Sequence, residues 1–194
     1  MNPINKIIND RQSARDRRDP NADICFLALS KNNQPSVRTL VLRTISDDGV
    51  TLFVNKTSEK WKILKSNKRA EFLLWFSTVQ IQYRIRGIIA EIDRRSIETN
   101  WPNRPPDSKY LDHAYSDFQT QSSCIESHAH LLQHINEFKR DNPEDSLAVP
   151  DTAAGLHVQP HEIEMLDLNH PSGIHDRRLF RKDEDSWNAT QLMP

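Results

Sequence analysis

Four polar residues with chemical potential stand together near the end of the chain, in the stretch SGIHDRR. His175, Asp176, Arg177 and Arg178 follow a turn that contains Gly173. An imidazole can exchange protons near neutral pH, and a guanidinium offers paired donors to a phosphate or a carboxylate. The stretch indicates either a ligand site that needs positive charge and an imidazole, or an ordinary solvated turn.

Cationic and amide side chains recur earlier in the chain, in patterns that suit an anion or a polar ring. Arg38 and Arg43 stand five residues apart in a β-rich run, so strict alternation places them on opposite faces of a strand. Ser58 and Lys60 open a predicted helix, whose first N–H groups favour an anion. Gln82 lies in a predicted strand and offers a donor and an acceptor, as a flavin or pyrimidine edge requires. Each pattern has a structural alternative: exposed arginines, a capped surface helix or a polar edge strand.

Two short stretches between the predicted strands add further candidates. RPPDS, from Arg104 to Ser108, reads as a rigid basic turn. QTQSS precedes a predicted helix, so Gln121 and Ser122 are placed to donate to an anion at its start. Each stretch is weak evidence when taken alone.

Composition excludes several classes of protein. The 194 residues predict one domain, 1–194, with an N-terminal helical arm over 1–20. The net charge of −1 and pI near 6.7 disfavour nucleic acid as a partner. No apolar run is long enough for a secretory signal or a membrane span, so we expect no membrane partner. Cys25 and Cys124 form no C-x-x-C pair, which favours a reducing cytoplasm.

Phosphate-binding and metal motifs are equally lacking. The four glycines cannot be arranged into G-x-G-x-x-G or into a P-loop motif. His130 and His134 are spaced to chelate on one helix face, but no third ligand has a recognisable spacing. We therefore expect no metal site, and no G-x-S-x-G elbow predicts a nucleophilic hydrolase.

The elements that must position these residues alternate in type along the chain. Helical patterns cover 4–18, the stretch around Trp61, and the later part of the chain between Ser96 and Arg140. The strand patterns are 24–29, 37–45, 50–55, 69–76, 80–93 and 155–168, followed by a final hairpin. The sequence therefore predicts an α+β fold, in which about six antiparallel strands close into a barrel with peripheral helices.

Taken in order, these stretches resemble the pyridoxamine 5′-phosphate oxidase family of FMN-binding split barrels. The resemblance runs from Ile24 to Pro194 and is carried by RTLVLR, VNKTSEK, QYRIRG, RPPDS, QTQSS and HDRRLF…W…QLMP. The chain looks closer to another branch of the family than to the vitamin B6 oxidases themselves. The resemblance implies an antiparallel six-stranded split β-barrel, a homodimer with FMN at the subunit interface, and a small-molecule substrate.

The resemblance also implies roles for individual residues. Arg38 and Lys60 would reach the FMN phosphate, Gln82 the polar flavin edge, and Gln121 with Ser122 the FMN across the dimer. The full predicted cofactor-binding set is Arg38, Thr39, Leu40, Val41, Leu42, Arg43, Phe53, Val54, Ser58, Lys60, Gln82, Gln121, Ser122 and Arg177. The predicted substrate-binding set is Arg104, Ser108 and His175, with His175 also the candidate catalytic residue.

Five residues differ from those of the vitamin B6 oxidases. Gly173 replaces an arginine implicated in substrate handling, and Asn100 replaces a tyrosine that contacts substrate. The others are Arg43 for a lysine, Glu59 for a phosphate-binding arginine and Leu166 for a flavin-packing tryptophan. Three functions stay open: an FMN-dependent oxidoreductase that transfers a hydride from a small substrate to flavin, a non-catalytic FMN- or other ligand-binding protein, and a dimeric scaffold without a cofactor.

Overall fold

The computed structural model describes residues 2–184 and 186–194, and these contain five α-helices and nine β-strands. The helices are α1 Pro3–Asp16, α2 Glu59–Ser66, α3 Arg94–Asn100, α4 Pro106–Asp117 and α5 His128–Asp141. The strands are β1 Ile24–Lys31, β2 Gln34–Val41, β3 Thr44–Ser46, β4 Gly49–Asn55, β5 Arg69–Phe76, β6 Ile81–Glu91, β7 Ala153–Asp167, β8 Asp176–Asp183 and β9 Ser186–Leu192. Short 3-10 turns lie at Trp101–Asn103 and Glu144–Ser146.

The chain forms two compact units. The first comprises Met1–Leu52, Asn67–Ala90 and His157–Pro194, and the second comprises Phe53–Ser66 and Glu91–Leu156. The predicted α+β class with an antiparallel sheet is confirmed, but the described strands number nine and not six.

The first unit is built on the antiparallel sheet. Its strand order is β2-β1-β5-β6-β7-β4-β3, and β8 pairs with both β7 and β9. β1 and β2 form a hairpin whose turn residues, Asn32 and Asn33, both have positive φ (51° and 61°), which suits asparagine. Pro35 lies in β2, at the edge of the sheet, where a missing backbone donor is tolerated.

Alternation gives the strands of the first unit two different faces. In β1, β5 and β6, one row of side chains is fully buried, as in Leu27, Phe72 and Tyr83. The opposite row is only half-buried and includes Phe26 and Leu73, which lie opposite each other in the β1–β5 ladder. The buried row forms the core of this unit, and the second row leaves an apolar surface open.

The N-terminal helix packs into the first unit and is not a detached arm. Ile4, Ile7 and Ala14 on α1 are buried. The Tyr83 hydroxyl, deep in β6, donates a short hydrogen bond to Asp10 of α1. α1 is therefore part of the core of this unit.

The predicted strand over 37–45 is wrong at its centre, because β2 ends at Val41 and β3 begins at Thr44. The N–H of Leu42 donates to the carbonyl of Asp23 at 2.8 Å, outside any ladder. The buried guanidinium of Arg11 binds the carbonyls of Leu42 (2.5 Å) and Arg43 (3.4 Å). The expected hairpin around SDDG is present, but it joins β4 to the short β3.

The second unit has a small core of its own, formed by Ile97, Trp101 and Ala153 with Phe53, Ile92 and Val149 packed against it. The indole N–H of Trp101 donates to the carbonyl of Leu147 at 2.9 Å. α4 contacts α5 largely through aromatic rings, such as Tyr110 against Phe138. None of the side chains of α5 is buried.

The start of α5 corrects a prediction about the QTQSS stretch. The helix begins at His128, where the hydroxyl of Ser127 accepts from the N–H of His130 at 3.1 Å. Gln121 and Ser122 therefore lie in the preceding loop and not at a helix N-terminus. The expected anion site at the start of this helix is absent from the described residues.

Candidate functional site

Lys60 and Gln121 meet in the second unit, although 61 positions separate them in the sequence. The Lys60 ammonium donates to the side-chain carbonyl of Gln121 at 2.9 Å. The backbone N–H of Gln121 donates to the Thr57 hydroxyl at 3.1 Å, and the Asn55 amide oxygen accepts from that hydroxyl at 2.7 Å. The resemblance placed Gln121 across a dimer from the cofactor, whereas here it contacts Lys60 of its own chain. The short loop between β4 and α2 thus sets the position of both residues.

Two predicted ligands near this cluster occupy different environments. Ser58 is only 1% exposed, and its hydroxyl donates to the Asn55 carbonyl at 2.7 Å and accepts from the Trp61 N–H. It therefore caps α2, and its contact with a cofactor stays a prediction. Ser122 is exposed in the loop before α5 with a φ of 72°.

A second polar group in this unit lies on one face of α4. The Gln121 side-chain amide is 3.4 Å from the Tyr115 hydroxyl, and Asp112 lies on the same face of the helix. The Asp112 carboxylate forms a short ion pair with Arg104, just before α4. Burial raises the pKa of Asp112, although Arg104 acts in the opposite direction. Burial also raises the pKa of Tyr115.

Arg104 and Asp112 border a cavity of about 10 Å³, which is room for about one water molecule. The other residues around it are Phe53, Val54, Ile97, Asn100, Trp101, Ala153 and Ala154. Predicted cofactor residues Phe53 and Val54 thus lie beside predicted substrate residue Arg104. Ser108, the second predicted substrate residue, is half-buried in the first turn of α4.

Gln82 lies in an open groove of about 490 Å³ in the first unit. The groove is lined by Phe26, Val37, Leu73, Trp75 and Leu168 besides Gln82. Trp75 lies directly opposite Gln82 in the β5–β6 ladder. A single amide among aromatic and aliphatic side chains suits a flat ring with one polar edge.

The predicted cofactor residues from Arg38 to Val41 lie on two faces of β2, whereas Leu42 and Arg43 follow the end of that strand. Thr39 lies opposite Phe26 and therefore faces the groove, as does Val41. Arg38 and Leu40 lie opposite the buried Leu27 and Cys25, so they occupy the other face. The Arg38 guanidinium donates to the Ser36 hydroxyl at 2.7 Å. Leu42 is buried and its backbone groups are bonded within the chain, which argues against its predicted contact with a cofactor.

The cluster at the end of the chain separates into different contacts. Arg177 forms two bonds to Glu164, at 3.1 Å from Nε and 3.0 Å from Nη2. Asp176 accepts from Arg178 instead. His175 is exposed just before β8. Gly173 has a φ of 75°, and a side chain there would meet no atom within 4 Å.

Glu164 belongs to a network of ion pairs that crosses four strands. Glu71 of β5 binds Arg84 and Arg86 of β6, and Arg84 also reaches Glu164 of β7. Glu162 of β7 binds Arg86 and extends the network to Arg181 of β8; the Arg86 contact is 2.5 Å. The network fixes the orientation of Arg177 beside the open face of the sheet.

The sequence analysis missed residues that the site contains. Ser108, Asp112 and Tyr115 have the spacing i, i+4, i+7, which places them on one helical face. That spacing was a usable signal for Asp112 and Tyr115. Glu164 had no comparable local signal, because its partners come from other strands.

Two searches gave no candidates within the described part of the chain. Residues 2–184 and 186–194 contain no group of three or more His, Cys, Asp or Glu arranged to hold a metal ion. His134 instead stacks on Phe118 with ring centroids 4.5 Å apart. None of the described helices combines the length and the apolar character needed to cross a membrane.

Comparison with known proteins places the chain in a family. Residues 1–93 match the family model described as pyridoxamine 5′-phosphate oxidase, FMN-binding domain. A pyridoxine/pyridoxamine 5′-phosphate oxidase from Psychrobacter sp. is 30% identical over 174 residues, which are 88% of this chain and 79% of that protein. The chain belongs to the pyridoxamine 5′-phosphate oxidase family. A relative of the same description from Deinococcus deserti is 29% identical over 178 residues, which are 91% of this chain and 81% of that relative.

Solved structures confirm the fold of this family member. PhzG from Burkholderia lata, crystallised with tetrahydrophenazine-1-carboxylic acid, superposes with a TM-score of 0.85 at 23% identity. That match covers 99% of this chain and 92% of PhzG. A pyridoxamine 5′-phosphate oxidase-related, FMN-binding protein from Nostoc punctiforme gives a TM-score of 0.80 at 17% identity, covering 100% and 99% of the two chains. The predicted split-barrel fold and family are therefore confirmed.

FMN is the cofactor of the matched family model, in agreement with the prediction from the sequence. The donor set in this chain fits such a group. Lys60 offers a positioned ammonium that suits a phosphate, and the groove at Gln82 suits a flat ring. The roles of the individual residues stay predictions.

Proposed function

We propose that this chain is an FMN-dependent oxidoreductase acting on a small molecule. The observation that carries the proposal is the contact between Lys60 and Gln121, because two residues predicted to bind the cofactor meet in space. Bound FMN would supply the redox chemistry by accepting a hydride from the substrate, and the protein would supply orientation and electrostatics.

The phosphate end of FMN would be held in the second unit. The Lys60 ammonium supplies positive charge, and the side-chain oxygen of Gln121 accepts from it and fixes its position. Asn55 and Thr57 orient this pair through the backbone of Gln121, so the donors are preorganised before a ligand arrives.

A separate feature of the first unit, the groove at Gln82, suits a flat ring with one polar edge. Phe26, Leu73 and Trp75 offer apolar contact, and Gln82 offers both a donor and an acceptor to a polar ring edge. Arg177, whose guanidinium is paired with Glu164, would lie beside the face of the sheet that carries this groove. His175 is the candidate residue for proton exchange with the substrate, because it is an exposed imidazole.

A titration of FMN into the apoprotein tests the cofactor site. We expect Lys60→Met to raise the FMN Kd about 10- to 100-fold, since a hydrogen bond to a charged group contributes about 1.5–3 kcal/mol. Gln121→Leu should weaken binding by about tenfold. Lys62→Met is the matched control, because Lys62 is an exposed lysine on the same helix. Equal affinities of the Lys60 and Lys62 variants would remove the basis of the proposal.

A non-catalytic FMN-binding protein is the second candidate, and Gly173 favours it. The position that carries an arginine in the vitamin B6 oxidases has no side chain here and no neighbour within 4 Å. Anaerobic mixing of the yellow protein with a reduced substrate separates the two functions. Bleaching of the flavin absorbance supports the oxidoreductase, and a stable spectrum with every reductant tested supports the binding protein.

We also propose that the functional form is a homodimer formed through the open face of the sheet. Val37 and Val41 on this face are 67% and 51% exposed, and they continue the apolar groove around Phe26. A contiguous apolar surface of this kind marks an interaction site. Sedimentation should show a dimer for the wild type and a monomer for the double variant Val37→Lys, Val41→Lys. A monomeric wild type would contradict the proposal.

The cytoplasm is our proposed compartment. Both cysteines are unpaired thiols, Cys25 buried and Cys124 exposed, as a reducing compartment allows. Fractionation of the native host would test this.

A further inference from the structure

We infer that the Arg104 cavity of the second unit recognises an uncharged group and that a phosphate ester gains no affinity from Arg104. The inference rests on the proposed function in one respect, namely that this cavity receives part of the substrate. It narrows the class of substrate, because Arg104 was expected from the family resemblance to bind a phosphate.

The charge of Arg104 is neutralised inside the protein. Its guanidinium contacts the Asp112 carboxylate, and Asp112 is only 5% exposed. Opposite charges in contact leave little field at the distance of a third group, so an approaching phosphate gains little from Arg104. The same phosphate would also lie close to the Asp112 carboxylate, which repels it.

The lysines near Ser108 do not replace the missing charge. Lys109 is paired with Glu144, with 2.8 Å between ammonium and carboxylate. Lys139 is paired with Asp107 at 2.7 Å. Each of these cations has a carboxylate beside it, so the surroundings of Ser108 carry no excess of positive charge.

The cavity itself favours a small neutral group. Its volume of about 10 Å³ is room for about one water molecule. Its walls are largely apolar, with Phe53, Trp101 and Ala153 among them. The Nε of Arg104 is buried and, among the described residues, has no hydrogen-bond partner. A carbonyl, hydroxyl or ring nitrogen would satisfy this donor without adding charge.

A matched pair of probes tests the inference: pyridoxine, which is uncharged, and pyridoxine 5′-phosphate, which differs only by the phosphate. Binding of each is measured by calorimetry, with and without FMN. The wild type should bind the two within about threefold of each other. Asp112→Asn leaves the Arg104 charge uncompensated. It should therefore raise the affinity for the phosphate ester relative to that for pyridoxine at least tenfold, a change of about 1.4 kcal/mol.

Glu144→Gln is the control, because Glu144 pairs with Lys109 of α4 and neither residue borders the cavity. It should leave the ratio unchanged. Asp112→Ser provides a second variant if Asp112→Asn does not fold, as judged by circular dichroism. A wild type that prefers the phosphate ester by tenfold or more overturns the inference. A ratio that does not shift when Asp112 is replaced also overturns it, including the case in which neither probe binds.

The same experiment keeps the two proposals apart. A protein that fails to bind FMN contradicts the proposed function, whatever the probes do. A protein that binds FMN and prefers the phosphate ester keeps the proposed function and loses the inference.

Discussion

Replacement of Arg11 by methionine should destabilise the protein strongly. Its guanidinium lies buried between α1 and the end of β2 and donates to the carbonyls of Ala22 (3.0 Å) and Leu42 (2.5 Å). It also binds the Asp23 carboxylate at 2.7 Å. Methionine keeps much of the volume but removes every donor, so the carbonyls of Ala22, Leu42 and Arg43 lose this partner.

The magnitude follows from these contacts. A hydrogen bond from a charged donor contributes about 1.5–3 kcal/mol, and two such bonds to buried carbonyls are lost. The Asp23 side chain is 58% exposed, so its ion pair adds at most about 1 kcal/mol. Burial of the apolar methionine offsets part of the loss. We therefore expect about 3 kcal/mol of destabilisation, a large share of the stability of a typical domain.

Urea unfolding followed by tryptophan fluorescence measures this loss at pH 7. Arg15→Met is the matched control, because Arg15 also binds Asp23 but is exposed and contacts no buried carbonyl in the described structure. It should cost less than about 1 kcal/mol. Arg11→Lys should retain part of the stability. A loss in Arg11→Met no larger than that in Arg15→Met would refute the reasoning.

Three further predictions concern other parts of the fold. Burial raises the pKa of Asp19, but hydrogen bonds from Ser77, Thr78 and Asn21 outweigh it and hold that pKa below its ordinary 3.8. The stability that ionised Asp19 contributes is therefore present above pH 3.8 and lost as the pH falls further. Melting curves should show a smaller fall in melting temperature over that acid range for Asp19→Asn than for the wild type. Burial raises the pKa of Cys25 to about 12, so a thiol reagent at pH 8 should modify one cysteine per native chain, Cys124, and two after denaturation. Gly49→Ala would place a Cβ 2.1 Å from the carbonyl oxygen of Val158, and calorimetry should show a loss of about 2 kcal/mol.

Local sequence patterns predicted the elements whose structure depends on local contacts. The alternation in β1, β5 and β6 and the turn residues of the hairpins were sufficient to place them. The break after Val41 was not predictable in this way. It depends on the guanidinium of Arg11 and the carbonyl of Asp23, which lie far back in the sequence.

For the site, too, sequence motifs predicted some features and missed those that depend on distant residues. The motifs that contain Lys60 and Gln121 predicted residues that the structure brings into contact. They did not predict that Asp112 would neutralise Arg104, because an ion pair depends on side-chain direction and burial. The late start of α5 was missed because several serines precede it, and only Ser127 serves as the cap.

The packing of α1 has a practical consequence for preparing this protein. Pro3 and Ile4 are already buried at the start of the helix, so its first turn belongs to the packed structure. A recombinant version shortened to begin after Asp16 would lose Ile7, Ala14 and the carboxylate that the tyrosine of β6 reaches. Such a version should accumulate in inclusion bodies.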